Sequence, residues 1–290
     1  MIKRRMYRIL SDFKKVYEFF TETYEIDLRN GVSPCFFEYG QSFQSFDYSQ
    51  SHRIALWEEE GTLVSVVFYE IELGTAYFNL RPGYEFLADE LIEYAAGNLT
   101  TDDKPLCLRL MSTQSALRES AAANGYILER SHPEGVYEFS KGLIPNELPQ
   151  GYRFFDNQAE GRDMYNLDRC LWYGFGHGEE GEPDRDLSFR FHTMASPNFR
   201  DDLDVIVIAP NGEYVVYAGM WLIAEKGLAY LEPLCTLPEY RRLGLAKAAL
   251  GELQRRTSNL GATHMTGGSN PFYFKIGYEE KLLFETWRKI

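Results

Sequence analysis

Three kinds of residue or segment are scarce in this chain, and each scarcity narrows what it can be. There are four cysteines in 290 residues, and Cys35, Cys107, Cys170 and Cys235 stand far apart. No CxxC or Cys/His spacing suits zinc, so no metal is expected and the thiols read as packing residues. No apolar run is long enough to span a bilayer. The basic opening stretch, MIKRRMYRILSDFKKVYEFF, lacks a small-residue cleavage site. Together these predict a cytoplasmic protein with no membrane partner. Positive charge is also short: 30 Lys and Arg against 43 Asp and Glu leave a net −13. A nucleic-acid partner is therefore not expected, and cationic ligands are favoured.

Core material is plentiful, at 44% hydrophobic and 15% aromatic residues. That suffices for one large core or for two domains of about 145 residues. The sequence repeats in pattern at about half its length. Residues 53–79 and 204–232 each hold two apolar runs about a turn, Glu60-Gly61 or Asn211-Gly212, as in a β-hairpin. Each half then shows a glycine and a third strand, GTAYFNL or GLAYLEPL. A helical pattern follows, LADELIEYA or GLAKAALGEL, then a further strand and a Gly-Tyr pair, Gly125-Tyr126 or Gly277-Tyr278. The N-terminal strand and helix of each half also correspond. The expectation is two similar α/β (α+β) domains, residues 1–147 and 148–290. The joint is predicted in GLIPNELPQGYR (142–153), where prolines and glycines break the periodicity.

The stretch PEYRRLGLAKAAL (238–250) carries the chemistry. A buried strand, AYLEPLCT, meets Pro238, and a helix is expected from about Arg242 to Asn259. Leu245, Ala246, Ala249, Leu250 and Leu253 form its apolar stripe. Its first amides lack intrahelical partners, and with the dipole they make an anion site. Gly244 allows close approach, and Arg241 and Arg242 add fixed charge where the dipole disfavours it. Either this is a solvated basic helix start, or an anion belongs there. Arg241-Arg242-Leu243-Gly244-Leu245-Ala246 resembles the Q/R-x-x-G-x-G/A motif of the GNAT acetyltransferase superfamily. Phe272-Tyr273-Phe274-Lys275-Ile276-Gly277-Tyr278 resembles its Y-x-x-x-G-F/Y element. The resemblance covers 152–290 and extends in pattern to the first half. It implies two GNAT-like domains, each a mixed, mostly antiparallel sheet flanked by helices, with acetyl-CoA as cosubstrate. The amides of residues 242–246 would cradle its pyrophosphate. The strand backbone at Leu234, Cys235 and Thr236 would pair with pantetheine. Where many members have an asparagine two helical turns before the tyrosine, Asn270 stands three residues before Tyr273 with Pro271 between. The intervening helix is expected to be shortened or remade.

Transfer to an amine needs a neutral acceptor, a donor for the thioester oxygen and a leaving thiolate. Tyr273 holds the family's position for protonating the sulfur; otherwise it is a core aromatic. Glu232 precedes the coenzyme turn and takes the acceptor's proton, directly or through water, or is a structural carboxylate. Alternation puts Glu232, Leu234 and Thr236 on one face of the strand. An amide near Cys235 would polarise the carbonyl; the Cys235 thiol has no evident activating histidine.

GHGEEG (176–181) matches GxGxxG but follows no strand, and Glu179, Glu180, Glu182 and Asp184 would repel a pyrophosphate. It is read as an acidic loop that either receives a cationic amine, with Trp172, Tyr173 and Phe175, or is simply solvated. The first half lacks the motif at Leu80-Arg81-Pro82-Gly83-Tyr84-Glu85 and has Ala121 where the second has Tyr273, so it is read as degenerate. The expected function is N-acetyl transfer from acetyl-CoA to a primary amine of a small molecule, by a monomer or homodimer. An aminoacyl- or peptidyl-type transferase and a non-catalytic acyl-CoA-binding or scaffold protein are the alternatives.

Overall fold

The computed structural model describes residues 1–102, 105–183 and 185–289, so Asp184 of the acidic loop lies outside it. It holds two compact units: Met1–Glu134 with Glu280–Ile290, and Gly135–Glu279.

The first unit runs β1 (Ile2–Met6), α1 (Phe13–Thr23), α2 (Pro34–Gln41), β2 (Ala55–Glu59), β3 (Thr62–Phe68), β4 (Thr75–Leu80), α3 (Ala88–Asn98), β5 (Cys107–Met111), α4 (Ser115–Ala123) and the start of β6 (Tyr126–Glu138). The hairpin between β2 and β3 turns where the sequence predicts. Glu60 and Gly61 both take positive φ, 51° and 85°, the geometry that matches strand twist. β3 pairs antiparallel with β4, and β4 pairs parallel with β5 through Thr75–Cys107 and Ala76–Leu108. Phe20, Phe37 and Phe68 pack against one another with tilted and edge-to-face rings. Leu91 and Ile92 of α3 and Leu108 of β5 are wholly buried in the same core.

The second unit continues β6 from Gly135. It then runs β7 (Arg153–Phe154), α5 (Met164–Gly174), α6 (Ser188–Met194), β8 (Asp204–Ile208), β9 (Tyr214–Ile223), β10 (Leu228–Thr236), α7 (Leu245–Ser258), β11 (His264–Thr266) and α8 (Pro271–Lys275). The sheet order is β6-β11-β10-β9-β8-β7. Only β10 and β11 pair in parallel; the other recorded pairs in this unit are antiparallel. The β4-α3-β5 and β10-α7-β11 units are thus the same supersecondary element, as the repeat implies. α7 buries Ala249, Leu250 and Leu253 completely, each leucine contributing about 2 kcal/mol.

Two boundaries differ from the sequence expectation. The segment predicted to join the domains after residue 147 is packed on α7. Gln254 Oε1 accepts the Ile144 amide at 2.7 Å, and its Nε2 donates to Gly142 O at 2.8 Å. Gly251 has no side chain because a Cβ there would stand 2.4 Å from Ile144 O. The change of unit falls instead within one continuous strand, at Glu134–Gly135. The final strand, β12 (Glu279–Lys289), belongs from Glu280 onward to the first unit. It pairs antiparallel with β5, Phe284 opposite Met111 through Arg288 opposite Cys107, and makes the first unit's order β1-β2-β3-β4-β5-β12-β6. Buried Glu285 takes hydrogen bonds from Arg118 Nε and Trp287 Nε1, both at 2.8 Å.

Candidate functional site

β10 delivers the chain to a cavity of about 530 Å³ in the second unit. Its parallel pairing with β11 stops after Leu228–His264 and Ala229–Met265. Against β9, its register shifts between Leu231 and Leu234, a bulge of the kind that re-aims a strand beside a site. Gly219 of β9 makes room for it: a Cβ there would lie 2.9 Å from Glu232 O and 3.3 Å from Pro233 Cδ. Past the bulge, Leu234, Cys235 and Thr236 line the cavity.

A short turn, Pro238–Tyr240, follows, and then Arg242 and Gly244 both adopt left-handed backbone, with φ 65° and 83°. For arginine that conformation costs about 1 kcal/mol. Turns of this kind present successive amides to one concave side. α7 begins only at Leu245, with no side chain capping its first turn and no acidic residue in it. The two arginines therefore precede the helix rather than opening it at Arg242. Gly244, Leu245, Ala246 and Lys247 line the cavity, and a Cβ on Gly244 would meet nothing within 4 Å. Leu243 is 46% exposed and lies outside the lining.

The arginines divide their work. Arg241 donates from Nε to Thr236 O at 3.1 Å and from Nη2 to Gly174 O at 2.9 Å. Gly174 ends α5, so the guanidinium meets the negative end of that helix and clasps two walls of the cavity together. Arg242 and Lys247 are further cations on the lining.

Tyr273 reaches the cavity from α8, a single turn capped by Asn270 Oδ1 on the Phe272 amide at 2.9 Å. The predicted shortening is this five-residue helix. The Tyr273 ring meets the edges of Phe272 and Tyr278 at 5.3 and 5.2 Å, and Gly267 leaves space for it. Tyr278 is buried, and burial pushes its hydroxyl well above the ordinary tyrosine range. Glu232 sits in the bulge, outside the lining residues. The even alternation expected for Glu232, Leu234 and Thr236 is broken there. Cys235 packs against Gly174, and its thiol donates to Cys170 O at 3.5 Å. Its bond to the Cys170 thiol and burial push that thiol up. Neither cysteine has the environment of an activated nucleophile.

Residues 162–278 match the family model described as the acetyltransferase (GNAT) family. They form a GNAT domain. Its family transfers acyl groups from acyl-CoA, and the chain is an acyltransferase of this type. The likeness of fold runs beyond the domain. A GCN5-related N-acetyltransferase from Sphaerobacter thermophilus is 15% identical, with 99% of this chain and 95% of that one covered at a TM-score of 0.60. A GNAT-family acetyltransferase from Colwellia psychrerythraea is 13% identical, with both chains fully covered at 0.59. A tandem GNAT protein from the clavulanic acid biosynthesis pathway is 12% identical, with 99% and 98% covered at 0.60. The first unit therefore shares the GNAT-like fold. No curated protein matches the chain.

The GNAT domain brings most of the sequence-predicted residues together: Leu234, Cys235, Thr236, Arg241, Arg242, Gly244, Leu245, Ala246 and Tyr273 share one lining, without Leu243 and Glu232. Lys247, Tyr240 and Gly174, for which the sequence implies no site role, also line it, as do Asn270 and Phe272 beside the predicted tyrosine. Lys247 is readable from the sequence as a cation in the first turn of the helix after the arginine-glycine stretch; Gly174 arrives from a distant helix and leaves no such signal. The acidic loop follows α5, not a strand, and His177 Nδ1 pairs with Glu180 within it at 2.8 Å. Among the described residues no group of His, Cys, Asp or Glu is arranged to hold a metal, and no helix is long and apolar enough to cross a membrane.

Proposed function

We propose that the chain moves an acetyl group from acetyl-CoA to a primary amine of a small molecule by direct transfer. The observation that carries this reading is the corner where β10 gives way to α7. An uncapped helix start, two left-handed residues and a cavity of about 530 Å³ meet there.

In this reading the amides of residues 242–246 hold the diphosphate, with Arg242 and Lys247 as its countercharges. The β10 edge at Leu234–Thr236 pairs with the pantetheine arm, and the Cys235 amide polarises the thioester carbonyl. Tyr273 gives its proton to the departing thiolate. Glu232, lying outside the lining, takes the acceptor's proton through water rather than directly. Arg241 shapes the cavity instead of touching the anion. The acceptor is an amine because the acidic loop after α5, with Trp172 and Phe175, suits a cation. A cytoplasmic location fits this cosubstrate.

The test is thiol release by the purified chain with acetyl-CoA across a panel of primary amines. Amine-dependent release, with an acetylated product of matching mass, is expected. Coenzyme binding with no amine-dependent release across the panel would leave a binding protein instead.

A further inference from the structure

The first unit repeats the β10-α7-β11 element as β4-α3-β5, so it has a corner equivalent to the coenzyme turn. That corner carries a carboxylate of its own. Gly83 there is left-handed at φ 90°, open on its Cβ side, and its amide donates to Glu85 Oε1 at 3.0 Å. Arg81, the turn's cation, is bound elsewhere, to Glu22 at 2.7 Å and to Leu63 O at 3.1 Å. The first turn of α3 carries Asp89 and Glu90, where α7 has no acid. The cavity bounded by Leu80 and Glu85 is about 250 Å³, roughly half the volume of the one in the second unit.

We propose that Glu85 is a built-in anion: its carboxylate stands where a coenzyme diphosphate would in the first unit, and the chain accordingly binds one coenzyme rather than two. This rests on the coenzyme reading of the second unit and deepens it. A carboxylate on a left-handed glycine amide uses the same attraction that draws a phosphate to such a turn. The two acids of α3 complement their own helix dipole and repel a further polyanion.

Two measurements test it on the full chain. Native mass spectrometry and calorimetry with coenzyme A are expected to give one molecule per chain, and none for Gly244→Glu. Two per chain, or one retained in Gly244→Glu, would overturn the proposal. The second measurement uses inorganic pyrophosphate and does not depend on the coenzyme. Saturable millimolar binding, read by phosphorus NMR, is expected in Gly244→Glu/Glu85→Ala and not in Gly244→Glu. Equal binding in the two variants would overturn the role of Glu85. Failure of the wild type to bind any coenzyme would refute the second-unit reading, and the pyrophosphate result would still decide the matter of Glu85.

Discussion

A phenol and two guanidinium groups share one cavity, and substitution is expected to separate their proposed roles. Tyr273→Phe keeps the ring contacts to Phe272 and Tyr278 and removes only the proton. Turnover is expected to fall about a hundredfold, with the calorimetric affinity for acetyl-CoA unchanged; undiminished turnover would take Tyr273 out of the mechanism. Arg241→Ala removes two hydrogen bonds to main-chain carbonyls on an exposed side chain. It is expected to lower stability by about 1 kcal/mol and to weaken acyl-CoA binding without flattening its salt dependence. Arg242→Ala is expected to flatten that dependence with little change in melting temperature. Interchanged phenotypes would reverse the assignment of the two arginines. A carboxyl of the first unit supplies a pH signature. Burial raises Glu134 from 4.5 to about 7, with Arg109 opposing and Glu70 adding. The folded state holds the proton more tightly, so this contribution is fully present below about 4.5 and is lost as pH rises through about 7. Stability is expected to fall by on the order of 1 kcal/mol across that window and to flatten in Glu134→Gln, as pH-dependent denaturation would read.

The elements around the site were legible in proportion to how local their causes are. The turn before α7 was readable as a candidate anion site because Arg241, Arg242 and Gly244 are neighbours in sequence, and the short α8 because Asn270 and Pro271 announce its start. The bulge in β10 was not readable, because it depends on Gly219 of another strand. With it went the expectation that Glu232 shares a face with Leu234. The start of α7 moved to Leu245 for a related reason: Arg242 is left-handed, which propensity alone does not suggest. Gly267 tests the packing of α8. A Cβ there would come within 2.6 Å of the Tyr278 ring and 2.8 Å of the Tyr273 ring. Gly267→Ala is expected to cost about 2 kcal/mol by overpacking and to cut turnover more than coenzyme affinity. Wild-type turnover would mean that the placement of Tyr273 does not matter.

For the whole molecule, the repeat gave the number of units but not their limits. Prolines and glycines at 142–153 look like a linker, yet Gln254 and Gly251 draw Gly142–Pro145 onto α7. Nothing in the spacing of residues 280–289 tells which sheet they complete, since strand pairing is decided between distant segments. Removing residues 280–290 tests the observed assignment. Hydrogen exchange is expected to rise in β5, where Thr286 and Glu285 are buried opposite Arg109 and Leu110, while β8 and β9 stay protected. Loss of protection in β8 and β9 alone would contradict it.

Because the first unit is finished by the chain's last strand, the order of manufacture and the order of completion are inverted. The portion a ribosome makes first waits, with the flank of β5 unpaired, until β12 has been made. The portion made second has every strand it needs before residues 280–289 emerge.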